Sequence, residues 1–224
     1  GIDNNFWIWE YVDYAKDYVV LADVARGDGA DYSTFHIMDI KSNTQVAEYK
    51  GQMSTKEFGY FLVSVATEYN NALLVVENNN IGWSVIEAIL ERGYRNLYYS
   101  DGNETKNPEE RNQFDDLKQN TPGFNMNLRT RPLCINKLRE YIGDKSITIR
   151  SKRFISEAKV FIWKNGRAEA QSGYNDDLIM PMALGMFIRD TALKFQKNNL
   201  DMIRATLSSI KSNQSYQTPM ISGQ

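Results

Sequence analysis

Two short apolar runs, each reaching an acid at its end, constrain this chain more than any other feature. They are Tyr18-Val19-Val20-Leu21-Ala22-Asp23-Val24 and Ala72-Leu73-Leu74-Val75-Val76-Glu77. Runs of this length without polar alternation read as strands buried on both faces, so helices must cover both sides of a sheet. After the first run, Gly27-Asp28-Gly29 breaks the chain with residues that tolerate positive φ. Two further β-rich runs follow, Thr34–Ile40 and Thr44–Tyr49, separated only by Lys41-Ser42-Asn43. Three strands with short connections predict an antiparallel meander.

Helices are expected between and after the strands. Ser54 and Glu57 have capping-box spacing, and Phe58, Phe61, Leu62, Val65, Ala66 and Tyr69 form an apolar stripe at helical intervals. A second helix is expected from Gly82 to Arg92, stopped by Gly93, and then a short strand over Asn96–Tyr99. Residues 101–130 read as a long loop with one or two helical turns at most. Leu133–Ile142 reads as a helix with Pro132 at its start, Ser146–Arg150 as a short strand, and Phe154–Trp163 as a helix running into a strand. Asp176–Phe195 is predicted to be a long final helix that Pro181 would kink. The polar segment from about Asn198 onward reads as a loosely held tail. The order β-β-β-α-β-α-β, then mostly α, predicts an α/β domain with a mixed sheet rather than a doubly wound parallel one.

Composition narrows the chemistry. Within 224 residues, 42% are apolar, enough for one sizeable core. The net charge of −2 excludes a histone-like polycation that holds nucleic acid by bulk charge. With one cysteine, Cys134, neither an intrachain disulfide nor a Cys-based zinc site can form. The lone histidine, His36, lies within a strand-like run and reads as a packed residue; any Ser-His-Asp triad would depend on it alone. No Gly-x-x-x-x-Gly-Lys-[Ser/Thr] loop is present, so no P-loop NTPase activity is expected of these residues. No apolar run approaches the ~18–20 residues that span a bilayer. The chain reads as soluble and intracellular.

The acids are the candidate chemistry. Asp23 and Glu77 end buried strands, and in open α/β sheets ligands gather beyond the carboxyl ends of strands. Asp176 and Asp177 open the last expected helix, where acids also simply oppose the macrodipole; a solvent-facing strand end would equally explain Glu77. If the strand acids converge with one of the helix aspartates, three carboxylates lie within a few Å and need a cation to neutralise them. Hard oxygen ligands without His or Cys select Mg²⁺ or Mn²⁺. Two such ions would activate a water and stabilise the leaving oxygen of a phosphoryl displacement.

Charge is segregated along the chain. Residues 121–168 carry eleven Lys and Arg against three acids, a net +8, which leaves −10 elsewhere. Solvated helix faces account for several of these cations. Arg129, Arg131, Arg150, Lys152 and Arg153 are clustered closely enough to be candidate DNA-phosphate contacts, which position a duplex without reading its sequence.

Several segments together resemble a known family. Trp9-Glu10-Tyr11, the run Tyr18–Gly27 and Asp31-Tyr32-Ser33 are similar to the opening of the nuclease domain of tailed-phage terminase large subunits. So are Val75–Gly82, Gly173–Leu178 and, in the large-myovirus branch, Phe161–Ala170. The similarity spans roughly residues 7–190. It implies a ribonuclease H-like fold and a metal-dependent endonuclease that cuts concatemeric double-stranded DNA with little sequence specificity. Mg²⁺ is the implied cofactor, with Mn²⁺ able to substitute. Asp23, Glu77 and the Asp176–Asp177 pair fall on the family's acidic motifs; Asp177 is favoured as catalytic ligand, with Asp176 as a further candidate for the metal.

Composition and periodicity together with the resemblance give a domain over 1–197 with 101–130 as an inserted loop and 198–224 as a loosely ordered tail. The implied partners are DNA, an N-terminal ATPase domain of the parent chain, the portal or procapsid and the small terminase subunit, with no membrane. The implied setting is the cytoplasm of an infected bacterium, outside the mature virion. An isolated nuclease domain would cut DNA without pumping it. A second function class is a module that grips duplex for a separate motor, with cutting secondary. A recombinase or resolvase of similar fold would need selectivity for branched DNA, which no sequence feature supports. Pro181 departs from the expected pattern, because its missing N–H would leave the Asp177 carbonyl without a helical partner.

Overall fold

Strand β2 (Tyr18–Asp23) lies inside a five-stranded sheet whose spatial order is β1-β4-β3-β2-β5. It pairs antiparallel with β3 (Ser33–Asp39) and parallel with β5 (Leu73–Val76). The meander continues through β4 (Thr44–Gly51), and β1 (Phe6–Ile8) closes that edge. The computed structural model describes residues 4–25, 32–79, 81–100, 121–164 and 167–189.

Strand parity decides what each face carries. Val20, Ala22, Phe35, Ile37, Tyr49, Leu74 and Val76 point to one side and are buried against α1 (Thr55–Glu68) and α2 (Gly82–Glu91). The capping box of α1 forms as the sequence predicts: the Ser54 hydroxyl accepts from the Glu57 N–H, and the Glu57 carboxylate accepts from the Ser54 N–H. Gly93, at φ +68°, follows the end of α2. The opposite face holds Leu21, Thr34, His36 and Glu48, and it is covered by α4 (Lys152–Val160) and by the helix that begins at 179. Gly185 of that helix lies directly against the Leu21 side chain.

Beyond β5 the sheet continues as fragments. Leu97 bridges Leu74, and Phe124 bridges Glu77. Two-residue strands β6 (Tyr99–Ser100) and β7 (Thr121–Pro122) pair with each other. Helix α3 (Thr130–Gly143) follows, and β8 (Phe161–Lys164) with β9 (Arg167–Ala170) forms a hairpin after α4. These elements fall in one compact unit, Gly1–Phe187; of the second, Ile188–Gln224, only residues 188 and 189 are described, and both are helical.

The observed fold is the expected α/β class: a mixed sheet with an antiparallel meander, one parallel pair and flanking helices. Several elements differ in detail. Strands β1, β7 and β9 were not expected, and Ser146–Arg150 contributes only the Thr44–Thr148 bridge. The final helix starts at 179, so Asp176 and Asp177 precede it rather than form its first turn, and Pro181 falls within that turn. The loop assigned to 101–130 lies outside the described residues over 101–120, as do the boundary at 197 and the tail 198–224. No helix among the described residues is long and apolar enough to cross a membrane.

Candidate functional site

Asp23 and Glu77 reach the same place by the same route. Strands β2 and β5 are parallel neighbours, with Ala22 opposite Val76, so their carboxyl ends coincide. Both acids are in phase with the strand residues that face away from α1 and α2: Leu21 for Asp23, Val75 for Glu77. The Glu77 N–H donates to the Ala22 carbonyl at 3.3 Å, which couples the two strand ends. The final helix covers this face, and the turn preceding it brings Asp176 and Asp177 to the same end.

The acids interact electrostatically. Burial, followed by repulsion from Glu77 and Asp177, pushes the Asp23 carboxyl well above its ordinary value; a hydrogen bond from the Val24 N–H opposes this only in part. Burial also raises Glu77, against a bond from the Asn79 amide at 2.7 Å and the positive charge of Arg131. The Asn79 amide also donates to the Met126 carbonyl, tying the turn after β5 to the segment before α3.

Each helix-side aspartate is held by a cation. Arg131, in the first turn of α3, binds Asp176 at 2.6 Å. Lys50, at the end of β4, lies 3.3 Å from Asp177 and 2.5 Å from Glu157 of α4. Among the described residues, no three His, Cys, Asp or Glu side chains form a ready-made ligand cluster. The two cations, Arg131 and Lys50, hold Asp176 and Asp177.

The donor chemistry fits a hard divalent cation. Carboxylate oxygens dominate, and a bound cation would offset both the burial of Asp23 and its repulsion by Glu77 and Asp177. Softer donors are committed elsewhere. The Cys134 thiol is buried and pushed up to about 12. His36 is fully buried, donates from Nε2 to the Leu178 carbonyl at 2.8 Å and accepts from the Gln45 amide at Nδ1; burial lowers its pKa and keeps it neutral. The packed reading of His36 is the one observed.

The five candidate DNA-contacting cations divide. Arg129 and Lys152 are exposed, and no carboxylate of the described residues lies within ion-pair distance of either. Arg131 serves Asp176 and Arg150 pairs with Glu10. Arg153 binds Glu48 at 2.7 Å, stacks over Trp7 at 4.2 Å and donates to the carbonyls of Asn4 and Asn5. Its guanidinium is a structural tie between α4, β4 and the chain before β1.

Sequence reasoning missed Lys50, Glu157, Thr34 and Asn79. A signal existed for Lys50: Glu48 and Lys50 alternate on the face of β4 opposite Tyr49, and charges there need partners once helices cover it.

No family profile matches the sequence. Comparison with solved structures finds the large terminase nuclease from thermophilic phage G20c with bound magnesium at a TM-score of 0.63 and 15% identity. That match covers 81% of this chain and 86% of the other. The same nuclease with bound cobalt gives the same figures. The large terminase nuclease domain of Thermus phage P74-26 matches at a TM-score of 0.59 and 15% identity, over 80% and 83%. The fold of this chain is thus that of the phage large terminase nuclease domains, a ribonuclease H-like arrangement.

Proposed function

We propose that this chain is the endonuclease domain of a viral DNA-packaging terminase. It would cut concatemeric double-stranded DNA with little sequence specificity by two-metal-ion hydrolysis. The observation that carries the reading is the placement of Asp23 and Glu77 at the coincident ends of two parallel strands, beside Asp176 and Asp177, in this fold. Asp23, Glu77 and Asp177 would hold Mg²⁺, or Mn²⁺ in its place, with Asp176 as an additional donor. When bound, the metal supplies an activated water and neutralises charge on the leaving oxygen.

The chain's own residues do the rest. Asn79 orients Glu77 through its amide, and Lys50 and Arg131 balance the aspartate pair. Arg129 and Lys152 offer exposed charge to phosphates, while Arg131, Arg150 and Arg153 would have to leave intramolecular partners to do so. The proposed partners are duplex DNA, an ATPase domain of the parent chain, the small terminase subunit and the portal or procapsid. The proposed setting is the host cytoplasm during infection.

The test is Mg²⁺-dependent nicking of plasmid DNA. Asp23→Ala and Glu77→Ala should each abolish it with circular dichroism unchanged. Retained cleavage in both, with contaminating nucleases excluded, overturns the reading. The exposed Arg129 and Lys152 favour a second reading, a DNA-gripping module. It predicts metal-free, salt-sensitive binding whose log–log salt slope falls by about one per charge removed.

A further inference from the structure

The peptide joining Asp177 to Leu178 is gripped by side chains to which the proposed chemistry gives no part. Thr34 Oγ1 donates to the Asp177 carbonyl at 2.6 Å. Glu157 accepts from the Leu178 N–H at 2.8 Å, and His36 Nε2 donates to the Leu178 carbonyl at 2.8 Å. Thr34 and His36 stand two residues apart on β3 and so share the face under the final helix; both are fully buried. Glu157 reaches the same peptide from α4.

The Thr34 bond answers a particular vacancy in the backbone. The Asp176 carbonyl accepts from the N–H groups of Ile179 and Met180. By the i→i−4 rule, the Asp177 carbonyl would accept from residue 181. Residue 181 is proline and has no N–H. The missing donor comes instead from a strand hydroxyl. A buried threonine must bond to something, and a proline in the first turn of a helix is ordinary. The conjunction is informative: the hydroxyl meets the one carbonyl that the proline deprives.

We infer that Thr34 is a positioning residue for Asp177. By holding the carbonyl of Asp177 to β3, the strand next to β2, it fixes the direction of that carboxylate relative to Asp23 and Glu77. His36 and Glu157 hold the following residue. This inference rests on the reading of Asp177 as a metal ligand. Without Thr34 the carbonyl loses its bond, the turn before the helix relaxes, and the carboxylate is no longer preset.

The proline makes the inference testable by rescue. Pro181→Ala restores the N–H that the i→i−4 pattern pairs with the same carbonyl, so it should compensate for a lost hydroxyl. Mn²⁺ binding to the full chain, followed by electron paramagnetic resonance and by calorimetry, reads the site without relying on cleavage. Thr34→Val should weaken Mn²⁺ binding about tenfold, the lower end of what removing an outer-shell hydrogen bond costs a metal site. Thr34→Ser should bind like the parent protein, and Thr34→Val with Pro181→Ala should recover most of the loss. Thr34→Ala, measured in parallel, gives the same readout without the bulk of valine. Unchanged Mn²⁺ affinity in Thr34→Val and Thr34→Ala overturns the inference. So does a loss that Pro181→Ala fails to restore, which would make Thr34 a packing residue. Absence of Mn²⁺ binding in the parent protein overturns the metal-centre reading, and this inference with it.

Discussion

Gly82 opens α2 directly behind the Glu77 main chain, and the closeness of that approach makes it a probe of the site. A Cβ at Gly82 would lie 1.8 Å from the Glu77 carbonyl oxygen and 2.9 Å from its carbon. Reaching the 3.0 Å below which Cβ contacts essentially do not occur requires about 1.2 Å of movement. Helix α2 is poorly able to supply it, because Val85, Ile86 and Ile89 are fully buried against the sheet. The turn carrying Glu77 therefore has to move, although it is tied to Ala22 and Phe124 by backbone bonds. Gly82→Ala should cost about 1–3 kcal/mol of stability as an overpacked contact. A displacement of ~1 Å at a reacting centre can cost about a hundredfold in rate, and the plasmid-nicking rate should fall on that scale. Gly143→Ala is the control: nothing lies within 4 Å of a Cβ there, so the rate should be unchanged and the melting temperature should not fall. If Gly82→Ala nicks DNA at the parental rate with the parental melting temperature, the position of Glu77's backbone does not set the site's activity.

Two further outcomes follow from buried charge. Arg153→Met leaves Glu48, which is fully buried, without its cation, and should cost about 3 kcal/mol in urea unfolding; an unchanged midpoint would show that Gln45 and solvent suffice for Glu48. Asp39 accepts from the N–H groups of Lys41 and Ser42 and pairs with Lys16 at 3.2 Å. Burial alone would raise its pKa, but the Ser42 bonds and Lys16 together hold it below its ordinary value of 3.8. A lowered carboxylate contributes stability above 3.8 and loses it as pH falls through the folded value. Asp39→Asn should therefore melt lower than the parent at neutral pH, and the two melting curves should converge as pH drops below 3.8. Parallel curves across that range would contradict the assignment.

The part of the fold that carries the acids was legible because each acid ends an apolar run that must be a strand buried on both faces. In Tyr18–Asp23 and Leu73–Glu77 the period of two puts both acids on the face opposite the Val20 and Leu74 side chains. Given a parallel pairing, their meeting follows. The cations were not legible, because an ion pair depends on which helix covers which strand. Arg153 looked like part of a surface cluster, yet α4 packs it over Trp7 and Glu48. Helical propensity suggested a helix from Asp176. It starts instead at 179: Pro181 has no N–H for the Asp177 carbonyl, and Thr34 and Glu157 hold the backbone groups of 177 and 178. Strand β1 escaped notice because its three residues have no alternation to read and find their register only against β4.

The proposed function stands on a divalent metal shared by Asp23, Glu77 and Asp177. A crystal structure of the protein soaked in Mn²⁺, with anomalous scattering to identify the ion, tests it most directly. Manganese should bind between Asp23 and Glu77 with a carboxylate oxygen of Asp177 in its coordination shell, and Lys50 should be displaced from that oxygen. Manganese absent from this end of the sheet, with Lys50 and Arg131 still holding the aspartate pair, would contradict it.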